Sequence, residues 1–264
     1  MPTLLLRLAG PMQSWGTRSR FDDRDTERIP SKSGVVGLLC AALGRSRGES
    51  LEDLRDLRMA VRADQPGILQ TDYHTALNVA KASGGTKDCQ PSRRHYLADA
   101  QFLVGLEGPG ELLRCLQQAV RQPRWPMFLG RKSFPPGLPV ALADDWRDTG
   151  LREAMATYPW LPLLEEAQAP EWVRQKKPST VEVEWELRPM EVGGSETRQD
   201  QPVSFAHADR NHSLRQVCRE RIHLTAAASS VETVDLPDFF TSLDDDVDSG
   251  STFLEDGEDV PESD

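Results

Sequence analysis

The side chains with the most capacity for chemistry in this sequence are cations interleaved with aromatic rings. Between Gln13 and Lys32 the chain carries Arg18, Arg20, Arg24, Arg28 and Lys32, with Ser14, Trp15 and Phe21 among them. A second group, Leu129-Gly130-Arg131-Lys132-Ser133-Phe134-Pro135-Pro136, sets two cations and a hydroxyl between a glycine and a ring. Arg93-Arg94-His95-Tyr96 is a third, and Tyr73-His74-Thr75 adds an aromatic, an imidazole and a hydroxyl. Guanidinium groups hold phosphate oxygens in fixed geometry, and aromatic faces take unstacked bases of any sequence. A glycine lets the backbone and both charges beside it approach a polyanion closely. These residues predict a surface that grips a single-stranded polyanion. The competing account is local: Asp22, Asp23, Asp25 and Glu27 can pair with the arginines of their own loop, and residues 129–136 also suit an ordinary Gly/Pro turn.

Catalytic and metal-binding patterns are scarce. The chain has no Gly-x-Gly-x-x-Gly after a strand, no P-loop, no His-Glu-x-x-His and no Gly-x-Ser-x-Gly. His207 and His212 flank Asp209 at a spacing that suits neither one helical face nor one strand face, so they read as surface histidines. No metal, cofactor or catalytic residue is expected. The one enzymatic route left open is metal-independent RNA cleavage, in which a general base activates a 2′-hydroxyl and a cation stabilises the leaving oxygen. His74, His95, Tyr73 and Lys32 are the groups able to serve it.

Positioning these residues requires a particular set of elements. Residues 3–8 form a short apolar run stopped by Ala9-Gly10-Pro11, a buried strand. A long polar loop follows. Ser31 then suits the N-cap of a helix whose apolar body is residues 35–43 and whose stop is Gly44. The free N–H groups and dipole at Ser31, Lys32, Ser33 and Gly34 would cradle a phosphate, with Gly34 and Gly37 marking close approach by a backbone or ligand. Residues 57–63 alternate as a strand; over 66–94 the pattern dissolves, apart from a strand-like piece at Tyr73-His74-Thr75 and a turn at Ser83-Gly84-Gly85-Thr86. Residues 96–106 return to strand, 110–120 read as an amphipathic helix and 125–129 as a strand. A patternless stretch of that length inside a domain is more often functional than not. The order is that of the split βαβ of a ferredoxin-like, RRM-like domain, an α+β fold. Beyond it, 148–158 looks helical, 180–187 and 217–224 look like strands, and Gly193-Gly194 falls in a turn.

Charge divides the chain. Overall it is −11, from 31 basic and 42 acidic residues, but thirteen of the acids lie between Glu232 and Asp264, where there is no Lys or Arg. Without that stretch the balance is +2, so the overall sign does not exclude a nucleic-acid partner. The same stretch is too polar to offset its ordering entropy and is expected to be disordered. At 264 residues the chain can bury a core without metal or disulfide. Cys40, Cys89, Cys115 and Cys218 show no paired spacing, which points to free thiols in a reducing cytoplasm. Apolar runs are too short to span a membrane, and Arg7 interrupts what would be a secretory leader.

The ordered motifs Leu8-Ala9-Gly10-Pro11-Met12-Gln13-Ser14-Trp15-Gly16, Pro30-Ser31-Lys32-Ser33-Gly34-Val35-Val36-Gly37-Leu38, Tyr73-His74-Thr75, Tyr96-Leu97-Ala98-Asp99-Ala100 and the 129–136 run resemble the CasD subunit family of CRISPR type I-E Cascade. The resemblance covers roughly residues 1–225 and leaves the acidic tail unexplained. It implies a RAMP protein, with a ferredoxin-like domain at 1–137, a thumb hairpin at 66–94 and a smaller β-rich region at 138–231. It implies a non-catalytic role, capping the 5′ handle of the crRNA. The implied neighbours are the repeated backbone subunit, the large subunit and, through the complex, target DNA. RNA-binding residues would then be drawn from Gln13, Ser14, Trp15, Arg18, Arg20, Arg24, Arg28, Ser31, Lys32, Ser33, Gly34, Tyr73, His74, Arg93, Arg94, Arg131, Lys132 and Ser133. A family relative in type I-C cuts RNA, so the cleavage route stands as the alternative. A purely structural adaptor is a third.

Overall fold

Strand alternation decides how the core is divided. The computed structural model describes residues 1–18, 22–81, 83–161, 178–188, 191 and 196–224, all within a compact unit spanning Met1–Ser229. The tail at 232–264, Gly193-Gly194, Arg20 and Phe21 lie outside the described residues. The elements are β1 (Thr3–Gln13), β2 (Asp23–Arg24), α1 (Lys32–Leu43), α2 (Glu52–Arg55), β3 (Arg58–Gln65), β4 (Ile68–Ala80) and β5 (Thr86–Glu107). They continue with α3 (Gly110–Arg121), β6 (Ala141–Arg147), α4 (Leu151–Thr157), β7 (Thr180–Glu186), β8 (Glu196–Ser204) and β9 (Asn211–His223).

One mostly antiparallel sheet runs in the order β6-β1-β5-β3-β7-β9-β8, with β2 and β4 pairing β5 off that path. Leu4, Leu6 and Leu8 of β1 face one side with Phe102, Val104 and Leu106 of β5, under α1 and α3. Leu5, Ala60 and Leu103 face the other side under α4. That is the two-residue period of a strand buried on both faces. Each fully buried Leu or Phe contributes about 1.5–3 kcal/mol.

Two residue-level readings change. Residues 125–129 are not a strand: Pro123 and Pro126 interrupt the donors of that stretch, and the N–H groups of Arg124 and Trp125 instead donate to the carbonyls of Ala42 and Ala41 at the end of α1. The strand beside β1 is β6. The 66–94 stretch, patternless in hydropathy though a hairpin by the family resemblance, is regular: β4 and β5 form a long antiparallel hairpin from Ile68 opposite Ala98 to Ala80 opposite Thr86. It shows no apolar period because β4 is exposed on both faces, and pattern reports burial. β7 also pairs β3 directly, adding β7, β9 and β8 to the same sheet.

Ser31 caps α1 through Gly34 N–H, and Gly44 closes it with φ near +70°. The expected helix near 148–158 is the shorter α4, and the last strand is longer than expected.

Candidate nucleic-acid interface

The arginine-bearing loop after β1 is held from beneath. Gln13, fully buried, donates to the carbonyls of Leu8 and Ala100 at 3.1 and 2.7 Å and accepts from the Trp15 indole at 3.2 Å. The Trp15 ring is 1% exposed and lies on Gly34, where a Cβ would stand 2.7 Å from it. Trp15 N–H donates to Thr26 Oγ1, and Glu27 N–H returns to the Trp15 carbonyl. With its base closed, the loop lays β2 beside β5, placing Asp23 next to Arg93 and Arg24 next to Arg94.

The 129–136 turn docks on the same place. Gly130 sits at φ near +90°, and a Cβ there would stand 1.7 Å from the Ser14 carbonyl oxygen, so only glycine fits. Ser14 N–H donates to the Leu129 carbonyl, and its hydroxyl reaches the carbonyls of His95 and Asp25. The turn then throws Arg131 back over the loop. Its guanidinium donates to the Arg24 carbonyl at 2.9 Å and lies 5.5 Å over the Phe134 ring, itself 6.0 Å from Tyr96. Burial first, then the adjacent charges of Arg94 and Arg24, lower the pKa of Arg131, with Asp25 and Asp72 opposing. Three arginines from separate segments thus crowd one spot.

Pairing separates these cations from the structural ones. Among the described residues Arg24, Arg28, Arg93 and Lys132 are exposed and form no ion pair, and Arg94 bonds only the Ser92 hydroxyl. Exposed unpaired cations that repel one another are what a phosphate chain stabilises. Lys132 and Ser133 continue the exposed rim. Arg18 and Arg28 are also exposed, but among the described residues no ion pair or hydrogen bond joins their side chains to the cluster.

Several expected contacts belong to packing instead. Lys32 is 1% exposed and pairs with Glu186 at 2.7 Å. The N-terminus of α1 is already filled: Asp200 of β8 accepts from Lys32 N–H at 2.9 Å, and Ser31 Oγ accepts from Gly34 N–H. A buried carboxylate therefore takes the place expected for a phosphate. Asp200 in turn binds Arg215 at 2.6 Å, and Glu184 gathers Arg198, Arg215 and Arg219. Gln13, Ser14, Trp15, Ser31 and Lys32 are buried, while Ser33 and Gly34 are half-buried behind Asp200 and the Trp15 ring. The five buried residues serve packing rather than face solvent. Gly34 is glycine for Trp15, not for a ligand. No local pattern pointed to Asp200 or Glu186, because both act across more than 150 residues of chain.

The groups considered for RNA cleavage do not converge. Neighbouring residues of a strand point to opposite faces, so Tyr73 and His74 part company. Register puts Tyr73 with Arg93 and His95 on one face, and His74 with Arg94 on the other. Lys32 is buried and paired with Glu186. His207 contacts Arg47 and His212 packs near Phe205, and no metal-binding group of three is present among the described residues. No helix among them is long and apolar enough to cross a membrane.

The fold is a mostly antiparallel sheet with few helices, and it carries this cationic cluster at the root of a long hairpin. Residues 3–218 match the family described as CRISPR-associated protein (Cas_Cas5), and the chain belongs to that family. It is 38% identical over 156 residues to the CRISPR system Cascade subunit CasD of Escherichia coli (strain K12), a match covering 53% of this chain and 69% of that protein. A crystal structure of a Cas protein matches with TM-score 0.65 at 40% identity, covering 84% of this chain and 95% of that one. A chain of a CRISPR RNA-guided surveillance complex matches with TM-score 0.67 at 34% identity, covering 85% and 91%.

Proposed function

We propose that this chain is a non-catalytic crRNA-binding subunit of a type I-E Cascade surveillance complex, which caps the 5′ handle of the guide. Family membership and the similarity to a Cascade subunit support the assembly. The observation that carries the RNA contact is the convergence of Arg24, Arg94 and Arg131, drawn from three segments and without ion pairs. In this reading β6-β1-β5-β3, with crossovers through α1 and α3, is the ferredoxin-like RAMP core, and that strand order supports it. The β4–β5 hairpin is the thumb, directed at the adjacent backbone subunit, with the large subunit the second protein neighbour and target DNA met through the complex. The compartment is the cytoplasm. Arg18, Arg24, Arg28, Arg94, Arg131, Lys132 and Ser133, with His74 beside Arg94, are the handle contacts.

Loss of a phosphate contact weakens single-stranded binding and flattens its log–log salt dependence by about 0.7. The double variant Arg94→Ala/Arg131→Ala is expected to lower the slope of crRNA binding by about 1.4 while the melting temperature stays near that of the parent. A parental slope and midpoint in the double variant would dismiss this interface.

A further inference from the structure

The hairpin has two faces, and the arginine cluster uses one. On the other, register sets Tyr73 opposite Arg93 and Thr71 opposite His95. Cross-strand neighbours stand about 5 Å apart and same-face residues along a strand about 7 Å apart, so the four side chains form one small patch. β2 adds Asp23 at its margin, beside Arg93. The imidazole is locked: His95 Nδ1 lies 2.8 Å from Thr71 Oγ1, and Nε2 lies 3.2 Å from Asp23 Oδ1. Tyr73 and Arg93 are the opposite case. Tyr73 is 68% exposed, and among the described residues nothing bonds its hydroxyl or stacks on its ring. The Arg93 backbone is held between β2 and β4, with its N–H donating to the Asp22 carbonyl, while among the described residues its guanidinium forms no ion pair.

An unused ring beside an unused guanidinium, both on a hydrogen-bonded ladder and flanked by fixed polar groups, suits one unpaired nucleotide. We infer that this second face holds such a nucleotide, with its base stacked on Tyr73 and a phosphate on Arg93. The His95–Thr71–Asp23 group bounds the edge of the base. The inference rests on the RNA-binding reading above and extends it: the strand held by Arg24, Arg94 and Arg131 on one face must pass around the hairpin to reach the other. Arg93 and Arg94, adjacent in sequence, then bind different parts of the same RNA.

The test uses handle RNA carrying 2-aminopurine at one position at a time, bound to the full chain within its assembled complex. One position should be quenched by stacking. Tyr73→Leu should remove that quench alone and weaken binding about tenfold, the factor equivalent to 1.4 kcal/mol of stacking, whereas Tyr73→Phe should keep both. RNA that binds normally with no position sensitive to Tyr73→Leu overturns the second-face site and leaves the first interface standing. A Tyr73→Leu variant that assembles poorly with partner subunits, with unchanged fluorescence, makes the face a protein contact and also overturns it. Failure of Arg94→Ala/Arg131→Ala to affect binding would instead strike the reading underneath.

Discussion

Lys32 and Lys132 are the same residue set to opposite uses. Both stand in a motif with serine and glycine nearby. Lys32 is buried against Glu186, and burial lowers its pKa more than the Glu186 carboxylate raises it. Lys132 is exposed and, among the described residues, forms no ion pair. Breaking a buried pair leaves an uncompensated charge and costs about 3–5 kcal/mol. Lys32→Ala should therefore lower the unfolding midpoint steeply in denaturant melts while the salt slope of RNA binding in the folded fraction stays parental. Lys132→Ala should do the reverse, with an unchanged melt and a slope reduced by about 0.7. Cysteine reactivity divides by the same rule. Burial pushes the Cys40 thiol up to about 11, so at pH 8 it is almost wholly the unreactive thiol, whereas Cys89 and Cys115 are exposed. Iodoacetamide on the native protein should label Cys89 and Cys115 and reach Cys40 only after unfolding. Early labelling of Cys40 would contradict the packing of α1.

Elements here are joined by charge as much as by apolar contact. Helix α1 begins at a serine cap, as its sequence signals, but its N-terminal N–H also takes the Asp200 carboxylate of β8. Asp200→Ala would leave Arg215 short of its main partner, costing about 3–5 kcal/mol, and would loosen β8 and β9 from α1. Hydrogen exchange should quicken first in β8 and at the start of α1, with β1 and β5 unchanged. The same logic holds α4. Arg62 is fully buried, pairs with Asp64 at 2.6 Å and donates to the carbonyls of Met155, Tyr158 and Pro159. The long hairpin is the contrary case, since its backbone ladder holds it with little burial along β4. Strand β1, apolar on both faces, and α1, with its serine cap and glycine stop, were legible in the sequence. The hairpin left no period in hydropathy, because its ladder is exposed on both sides, and only the family resemblance pointed to it.

At the scale of the molecule, net charge and local charge disagree. The chain is −11 overall, yet +2 without residues 232–264. Long-range steering responds to net charge and is screened over about 10 Å at 0.1 M salt. A chain ending at residue 231 should associate with RNA faster at low salt, with the two rates converging as salt rises; equal rates at about 20 mM salt, where screening is weak, would mean the acidic stretch has no electrostatic reach to the interface. What the amino-acid order alone determined is what neighbours in sequence can decide: the alternation that buries β1, the cap and stop of α1, and the presence of cations, rings and glycines in short groups. Folding decided which of those cations face a ligand. Lys32 and Arg131 occur in similar local settings, but one meets Glu186 across 154 residues and the other meets Arg24 across 107. Whether a charge is neutralised or left to bind depends on contacts between distant segments, and those exist only once the sheet has formed.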